Sequence, residues 1–275
     1  MKMKKLLLIA LAATAFVACS KSDDDAALVE CPANTGIVTF GVAPSLSVEG
    51  TRAQVNLPDG TTIPAGGDFA LSITSSDAQT GYAGDAWESV NVYNENYKKT
   101  YFIAGTYDAM VEWGDATEEG ENLPYFKGEV QYNVNARQLV TVTIPAKLAN
   151  SIVKVEFSDK FKSYFENGAK ITVTSGNGNA WEMSYDSTPY IFVESGKELT
   201  ISGEATKQKP SASVDAAVVE FDDVVKTMAP CTMYTYKYDV STAGNVAVTI
   251  EIINEPLEEI IVSDGEELND DAVQE

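Results

Sequence analysis

A pattern that occurs twice constrains the fold of this chain more than any other feature. Residues 132–144 read YNVNARQLVTVTI, and residues 238–250 read YDVSTAGNVAVTI. Both segments alternate apolar and polar residues on either side of a five-residue connection. Such alternation is typical of two strands that each bury one face and are joined as a hairpin. The identical spacing predicts two copies of one β-domain in tandem.

Strand-like alternation recurs along the chain, and no long amphipathic helix interrupts it. Residues 36–42 are predicted as the first strand, 69–74 as another, and 152–157 as the strand that opens the second domain. Residues 86–92 favour one short helical turn or a loop, and 159–165 favour a helix of one to two turns. The predicted fold class is all-β, with two tandem antiparallel β-sandwiches of the immunoglobulin-like or transthyretin-like kind.

These patterns divide the chain into five predicted segments. In chain order they are a lipoprotein signal peptide at 1–18, a lipidated tether at 19–35, β-sandwich domains at 36–148 and 149–254, and an acidic tail at 255–275. The connection between the sandwiches has no Gly/Ser tract, which predicts closely coupled domains. The tail is acidic and poor in aromatic residues, so we expect it to be mobile apart from the apolar residues 260–262.

The N-terminus has the layout of an export signal. A basic start is followed by apolar residues 6–17, a run too short to span a bilayer. The next residues, Phe16-Val17-Ala18-Cys19, resemble the bacterial lipobox, which implies that Cys19 is lipidated and becomes the mature N-terminus. Several acyl chains on one residue hold a protein firmly on a membrane. The alternative is an ordinary signal peptide.

An acidic run follows the lipobox cysteine. Residues 20–25 read SKSDDD, and this arrangement resembles the export signal of Bacteroidetes surface lipoproteins. The resemblance implies a lipid-anchored protein of the outer membrane that faces the cell exterior. The alternative is a solvated tether without a sorting role, and both descriptions can hold together.

Two cysteines remain once Cys19 is assigned to lipid. Cys31 and Cys231 are an even pair in an exported protein, so a disulfide is possible. It would tie the start of the first domain to the end of the second. The alternative is two isolated buried thiols.

Charge and composition exclude several classes of function. The formal net charge is −22, and such a surface repels nucleic acid, so we expect no nucleic-acid partner. The chain has no histidine, which removes the usual general base, the usual zinc ligand and every Ser-His or Cys-His pair. No Gly-x-Ser-x-Gly elbow or phosphate-binding loop is present. We predict a protein that is not an enzyme.

Two groups of residues suggest binding. Residues 115–122 gather acidic and amide side chains in one loop, which makes calcium the one metal worth considering, although the loop lacks EF-hand spacing and solvated acidic surface is the alternative. Trp87, Trp113 and Trp181 could stack against sugar rings, or they could be core residues. We expect no other cofactor.

A family resemblance rests on several short motifs. They are Ala104-Gly105-Thr106-Tyr107, Pro124-Tyr125-Phe126-Lys127-Gly128, Leu148-Ala149-Asn150 and Phe161-Lys162-Ser163-Tyr164-Phe165. Together with the lipobox, they resemble a Bacteroidales lipoprotein family catalogued only as a domain of unknown function. The motifs are packing and turn signatures, so no catalytic residue is carried over. More loosely, the layout is similar to fimbrillin-like pilins and adhesins.

The looser likeness gives Arg52 a role. Arg52 and Arg137 are the arginines of this chain. In fimbrillin-like pilins an arginine-specific protease cuts near such a position, which frees a groove for a donor strand from the next subunit. The resemblance therefore implies protease processing at Arg52, and the alternative is an ordinary exposed loop arginine.

The predicted function is a cell-surface lipoprotein with a structural or adhesive role, with a fimbria-associated subunit as its more specific form. Its partners would be the outer membrane through the lipid on Cys19, and other pilin or adhesin subunits or a host ligand. The alternative is a glycan-binding surface lipoprotein that acts beside a polysaccharide importer. A passive adhesin for a protein ligand is the third hypothesis.

Overall fold

The fold is built mainly from β-strands. A computed structural model describes residues 30–46, 57–166, 168–207, 216–240, 246–252 and 258–261. These residues form two sandwiches in tandem, which confirms the predicted all-β class.

The first half of the chain holds seven strands and one α-helix. Its elements are β1 (Thr35–Ser45), β2 (Ala70–Thr74), β3 (Asp85–Trp87), α1 (Val90–Asn96), β4 (Phe102–Ile103), β5 (Gly105–Trp113), β6 (Phe126–Val134) and β7 (Leu139–Leu148). Three 3-10 turns lie at Gly66–Asp68, Ala78–Thr80 and Tyr97–Lys99.

The second half holds nine described strands and one short helix. Its elements are β8 (Ser151–Phe157), α2 (Asp159–Tyr164), β9 (Ala169–Ser175), β10 (Ala180–Met183), β11 (Ile191–Val193), β12 (Glu198–Thr206), β13 (Val218–Thr227), β14 (Met233–Val240), β15 (Val246–Ile252) and β16 (Glu258–Ile261). The helix α2 confirms the one predicted at 159–165.

The first sandwich is one sheet folded over on itself. The strand order is β3-β2-β5-β6-β7-β1-β4. In the described chain, β6 and β7 pair at Phe126 with Leu148 and at Lys127 with Lys147, and then separate into opposite layers. Gly128 lies at the point of separation, where a Cβ atom would overlap the carbonyl oxygen of Pro145. A residue without a side chain is therefore required for the fold-over.

The second sandwich repeats this topology with separate sheets. A four-stranded sheet, β10-β9-β12-β13, packs against a sheet of order β11-β8-β14-β15-β16. The four-stranded sheet of the second half, β10-β9-β12-β13, corresponds to β3-β2-β5-β6 of the first half. In the other sheet, β14-β8-β11 corresponds to β7-β1-β4 of the first half. Each half therefore uses the same strand arrangement, and β15 and β16 are added to the second. Each half also contains one parallel pair, β1 with β7 and β8 with β14, which the sequence analysis did not predict.

The repeated sequence pattern does not mark equivalent hairpins. Residues 238–250 are a hairpin, with Tyr238 opposite Val248. Residues 132–144 are not, because Tyr132 pairs with Tyr107 of β5 while Val142 pairs with Phe40 of β1. The repeat falls on β6 and β7 in one half and on β14 and β15 in the other. The alternation of apolar and polar residues indicates that each strand buries one face, but it does not indicate which strand is its partner.

Two further features differ from the sequence analysis. Four residues of the predicted acidic tail form β16, which pairs with β15 from Ile250 opposite Glu258 to Ala247 opposite Ile261. Two of the four, Ile260 and Ile261, belong to the apolar stretch that was not expected to be mobile, whereas Glu258 and Glu259 were expected to be part of the mobile tail. The long strand β13 was not predicted. Its register shifts opposite residues 201–203 of β12, so two consecutive residues, Asp222 and Asp223, are exposed and the period-two pattern is broken.

Aromatic residues dominate the first core. The rings of Tyr107 and Tyr132 are stacked with centroids 5.8 Å apart, and Phe40 packs edge-on to Tyr132 at 5.5 Å. The hydroxyl of Tyr107 donates to the carbonyl oxygen of Ile103 at 2.8 Å, so Tyr107 packs at the corner where β5 begins. In the described part of the chain, the buried hydroxyl of Tyr132 has no hydrogen-bond partner.

These two stacked tyrosines give a matched stability test. Leaving a buried hydroxyl unpaired costs about 1–3 kcal/mol, whereas a formed hydrogen bond contributes about 1 kcal/mol. We expect Tyr132→Phe to raise the free energy of unfolding by about 1 kcal/mol and Tyr107→Phe to lower it by about 1 kcal/mol. Urea denaturation of both variants would measure this, and equal destabilisation by both would contradict it.

Candidate functional site

The strand β7 has one occupied edge and one open edge. Its pairing with β1 runs in register from Leu139 opposite Ile37 to Lys147 opposite Ser45. The N–H of Ile37 donates to the carbonyl oxygen of Gln138, so even-numbered positions of β7 direct their backbone groups to β1. Backbone direction alternates along a strand. Leu139, Thr141 and Thr143 therefore direct their N–H and C=O groups away from β1, and we call these groups the outer edge of β7.

The outer edge of β7 is unpaired among the described strands, since β6 meets β7 only beyond it, at Lys147 and Leu148. Its side chains are uncharged, and Thr141 and Thr143 are exposed. Proteins usually protect an exposed edge with charges, bulges or short strands, and an edge without them is open to pairing with another chain.

The edge of β13 shows that protection. Among the described strands, β13 pairs with β12 alone. It carries the exposed side chains of Glu220, Asp222 and Asp223, and the register shift distorts its pairing. Charges and a bulge both oppose edge-to-edge association. Of these two edges, the outer edge of β7 is the better candidate for an interaction site.

A polar contact joins the two halves around Glu119. The Oε2 atom of Glu119 accepts hydrogen bonds from Ser175 Oγ at 2.5 Å and Asn179 Nδ2 at 2.8 Å. Its Oε1 atom accepts from the backbone N–H of Glu194 at 2.9 Å and from Asn177 Nδ2 at 3.2 Å. Hydrogen bonds to an ionised acceptor are stronger than neutral ones. One carboxylate of the first half therefore holds two loops of the second.

Backbone and apolar contacts extend this junction. Gly120 and Phe192 exchange two backbone hydrogen bonds, at 3.0 and 2.8 Å. The side chains of Phe192, Ile152 and Cys231 belong to the second half but pack in the core of the first. The halves therefore share buried apolar surface.

The predicted calcium loop is the segment that makes this junction. Glu119 accepts hydrogen bonds from protein donors, and so does Asp115, whose Oδ1 accepts from Thr117 Oγ1 and N. These bonds from Thr117 lower the pKa of Asp115. Within the described ranges, no three metal-ligating side chains are grouped as a metal site requires. Calcium binding stays a prediction. In the structure, the carboxylate oxygens of Glu119 and Asp115 accept hydrogen bonds from protein donors.

The two cysteines lie at opposite ends of β1. Cys31 is a free thiol that precedes β1 and donates to the carbonyl oxygen of Thr35 at 3.0 Å. The N–H of Cys231 donates to Asn150, near the far end of β1, and burial raises the pKa of its thiol. Eleven residues at about 3.3 Å each separate the two positions. A disulfide needs Cα atoms within about 7 Å, so the possible Cys31–Cys231 bond is not formed.

The three tryptophans do not form a shared stacking surface. Trp87 pairs opposite Leu71 and contacts Tyr93 edge-on at 4.9 Å, so it borders the first core. Trp181 packs against the second core. Trp113 is half-buried and packs edge-on against Phe126 of the first core, and it lines an open cavity together with Asp115, Glu118 and Asn122. Of the three predicted stacking residues, Trp113 alone is placed beside a described cavity.

Two predicted sites lie outside the described residues, namely Cys19 and Arg52. Their roles in lipidation and processing stay predictions. The second arginine, Arg137, is exposed in the turn between β6 and β7, where its N–H donates to Thr35 at 2.6 Å. Within the described part of the chain, no helix has the length and apolarity needed to cross a membrane.

Comparison with known proteins gives one family match. Residues 34–263 match the family model described as "Domain of unknown function (DUF4493)". No curated protein matches the chain.

Solved structures resemble the chain at low sequence identity. The fimbrial anchor protein Mfa2 from Porphyromonas gingivalis is 13% identical, with 83% of this chain and 100% of that chain covered and a TM-score of 0.39. A fimbrial assembly protein from Parabacteroides distasonis is 9% identical, with 82% and 99% covered and a TM-score of 0.40. Both TM-scores are below 0.5.

Substitution of Glu119 tests the junction. Glu119→Gln keeps the side chain's size, but its NH₂ group cannot accept a hydrogen bond. Whichever way the amide turns, this group faces a donor, either the N–H of Glu194 or the Nδ2 of Asn179. We expect the free energy of unfolding to fall by about 2 kcal/mol, and the amide of Glu194 to exchange hydrogen faster. Glu121→Gln, an exposed neighbour, is the control. Equal behaviour of the two variants in hydrogen exchange at Glu194 would show that Glu119 does not hold the halves together.

Proposed function

The chain belongs to the family described as a domain of unknown function, DUF4493, and we propose that it is a non-enzymatic cell-surface lipoprotein that assembles with other subunits by strand addition. In this proposal, lipid on Cys19 anchors the chain in the outer membrane, and the outer edge of β7 accepts a strand from another subunit. The anchor rests on the lipobox and the acidic tether, and the acceptor role rests on the geometry of β7.

The observation that carries the proposal is a difference between the two equivalent sheets. In the second half, β14 is paired with β8 on one edge and with β15 on the other, from Tyr234 opposite Ile252 to Val240 opposite Val246. The counterpart of β14 is β7, which pairs with β1 on one edge and meets β6 on the other edge only at Lys147 and Leu148. Residues 139–143 of β7 therefore have no described strand where β15 lies beside β14. The second half fills with its own chain the place that the first half leaves open.

Strand addition fits the chemistry of this edge. Main-chain N–H and C=O groups supply the hydrogen bonds, while alternate side chains set the register. Val142 and Ile144 of β7 are buried, so the strand is held firmly while its outer backbone groups are directed away from β1. A formal charge of −22 would repel a second copy at long range. Because the outer edge of β7 carries no charged side chain, it adds no local like-charge repulsion when an added strand approaches.

Processing at Arg52 is part of the proposal. A cut at Arg52 would separate β1 and the anchor residue Cys19 from the rest of the chain. Because Cys31 is not bonded to Cys231, β1 would stay attached through non-covalent contacts alone. Those contacts include nine register positions with β7 and the buried side chains of Ile37 and Phe40. After cleavage, the lipid-anchored fragment would therefore stay attached to the rest of the subunit only through the contacts of β1.

Assembly can be followed by gel electrophoresis after arginine-specific proteolysis. We expect the wild-type protein to give a ladder of SDS-resistant species, because added strands form many hydrogen bonds that must break together. Arg52→Ala should abolish the ladder, and Arg137→Ala is the control because it removes the chain's other arginine. An unchanged ladder in Arg52→Ala would reject processing, and no ladder in any sample would reject assembly.

One observation favours the second candidate function, glycan binding. Trp113 lines a cavity with carboxylate and amide groups from Asp115, Glu118 and Asn122. An aromatic ring beside such acceptors suits a sugar ring, which stacks on one face and donates hydrogen bonds at its rim. If this function is correct, glycan-array binding should be lost in Trp113→Ala and kept in Trp181→Ala. Binding that survives both substitutions would place the glycan site elsewhere, and absence of binding would reject the candidate.

A further inference from the structure

Side chains of α1 cover the edge of β1 that faces away from β7. Among the described strands, β4 pairs with this edge at Thr35 and Gly36 only. Farther along, the N–H of Phe40 donates to Asn94 Oδ1 at 3.1 Å, and Asn94 Nδ2 donates to the carbonyl oxygen of Phe40 at 2.7 Å. One amide side chain therefore makes both hydrogen bonds that a residue of a neighbouring strand would make.

The cover continues on both sides of Phe40. The hydroxyl of Tyr93 donates to the carbonyl oxygen of Val38 at 2.9 Å. At Val42 the 3-10 turn begins so close to β1 that a Cβ atom on Gly66 would overlap the carbonyl oxygen of Val42. Positions 38, 40 and 42 direct their backbone groups away from β7, because the odd positions pair with it. Each of the three is covered without a strand.

The helix that provides this cover is small. It has seven residues, fewer than an isolated helix needs for stability. It is held by the side chain of Ser89, which accepts from the N–H of Val92 at 3.2 Å, and by the burial of Val90 and Tyr93. Local units of a protein open at lower free energy than the whole protein unfolds. Opening of α1 would withdraw Tyr93 from its edge-on ring contacts with Phe40 and Trp87, and it would leave the strand pairs of the sandwich in place.

We propose that α1 is a clasp that closes a strand-pairing edge on β1, and that its opening lets β1 pair with the outer edge of β7 in a second copy of this chain. The inference rests on the proposed function, because it names the strand that the β7 edge would accept. Because β1 and β7 are paired with each other, the closed edge of β1 and the outer edge of β7 face in opposite directions within the sheet. Their pairing would continue the sheet from copy to copy.

Such pairing is head-to-tail and leaves one edge unpaired at each end. A contact between two different surfaces builds an open filament unless its rotation closes a ring. The clasp would then control growth, because each added copy must open α1 before its β1 edge can pair.

Asn94 gives the decisive variants. In Asn94→Ala both hydrogen bonds to Phe40 are lost, so we expect hydrogen exchange at the Phe40 amide to accelerate at least about tenfold. Asn96→Ala, on the same helix but exposed, is the control. If Asn94→Ala does not fold, Asn94→Asp keeps an acceptor for the Phe40 N–H and removes the donor to its carbonyl oxygen. Unchanged exchange at Phe40 in a folded Asn94 variant would overturn the clasp.

The partner edge is tested in the same background. Light scattering should show that Asn94→Ala associates at concentrations where the wild-type chain is monomeric. Adding Thr141→Pro removes an N–H from the outer edge of β7, since proline has no backbone donor. The double variant should therefore be monomeric while its Phe40 amide still exchanges rapidly. Association that persists in the double variant, or a monomeric Asn94→Ala, would overturn the pairing of β1 with β7.

Exchange at Phe40 is measured on the monomer. Its outcome is therefore independent of assembly after Arg52 cleavage, so failure of the clasp and failure of the proposed function can be distinguished.

Discussion

The parallel pairing of β1 with β7 is the interaction on which the first half depends. It joins the first and last strands of that half, from Ile37 opposite Leu139 to Ser45 opposite Lys147, and so closes the sandwich. The second half uses the same solution in the pairing of β8 with β14. Contacts between strands so distant in sequence form only after a long loop closes. Each sandwich is complete only when its first strand has paired with its last. Loss or movement of β1 would therefore open the first sandwich.

The edges of these closing strands account for the proposed functional behaviour. On one side of the pair, the outer edge of β7 lacks both charge and a described partner. On the other, β1 is covered by the side chain of Asn94 instead of a strand. Glu119 meanwhile fixes the second half against the first through four hydrogen bonds. Force or binding at the β7 edge would therefore be transmitted through a folded two-part unit.

The sequence predicted the all-β class and many of the strands, but it did not predict which strands pair with each other. Alternation identified strands such as β1 and β2, because a buried face imposes period two whatever the partner. It could not distinguish the true hairpin at Tyr238–Val248 from the fold-over at Tyr132–Val142, and it missed β13 where a bulge exposes two consecutive residues. Asn94 and Glu119 were missed as functional residues because ordinary polar side chains gain their roles only from backbone groups brought close by the fold. The tryptophans carried a recognisable signal, yet packing placed all three of them against the cores.

The central claim is that the outer edge of β7 receives a strand from another molecule. An electron cryo-microscopy map of the assembled protein tests this most directly. We expect each subunit to show a strand from its neighbour hydrogen-bonded along residues 139–143, at the position that β15 occupies beside β14 in the second half. A map in which this edge faces solvent, with the subunits joined elsewhere, would contradict the account.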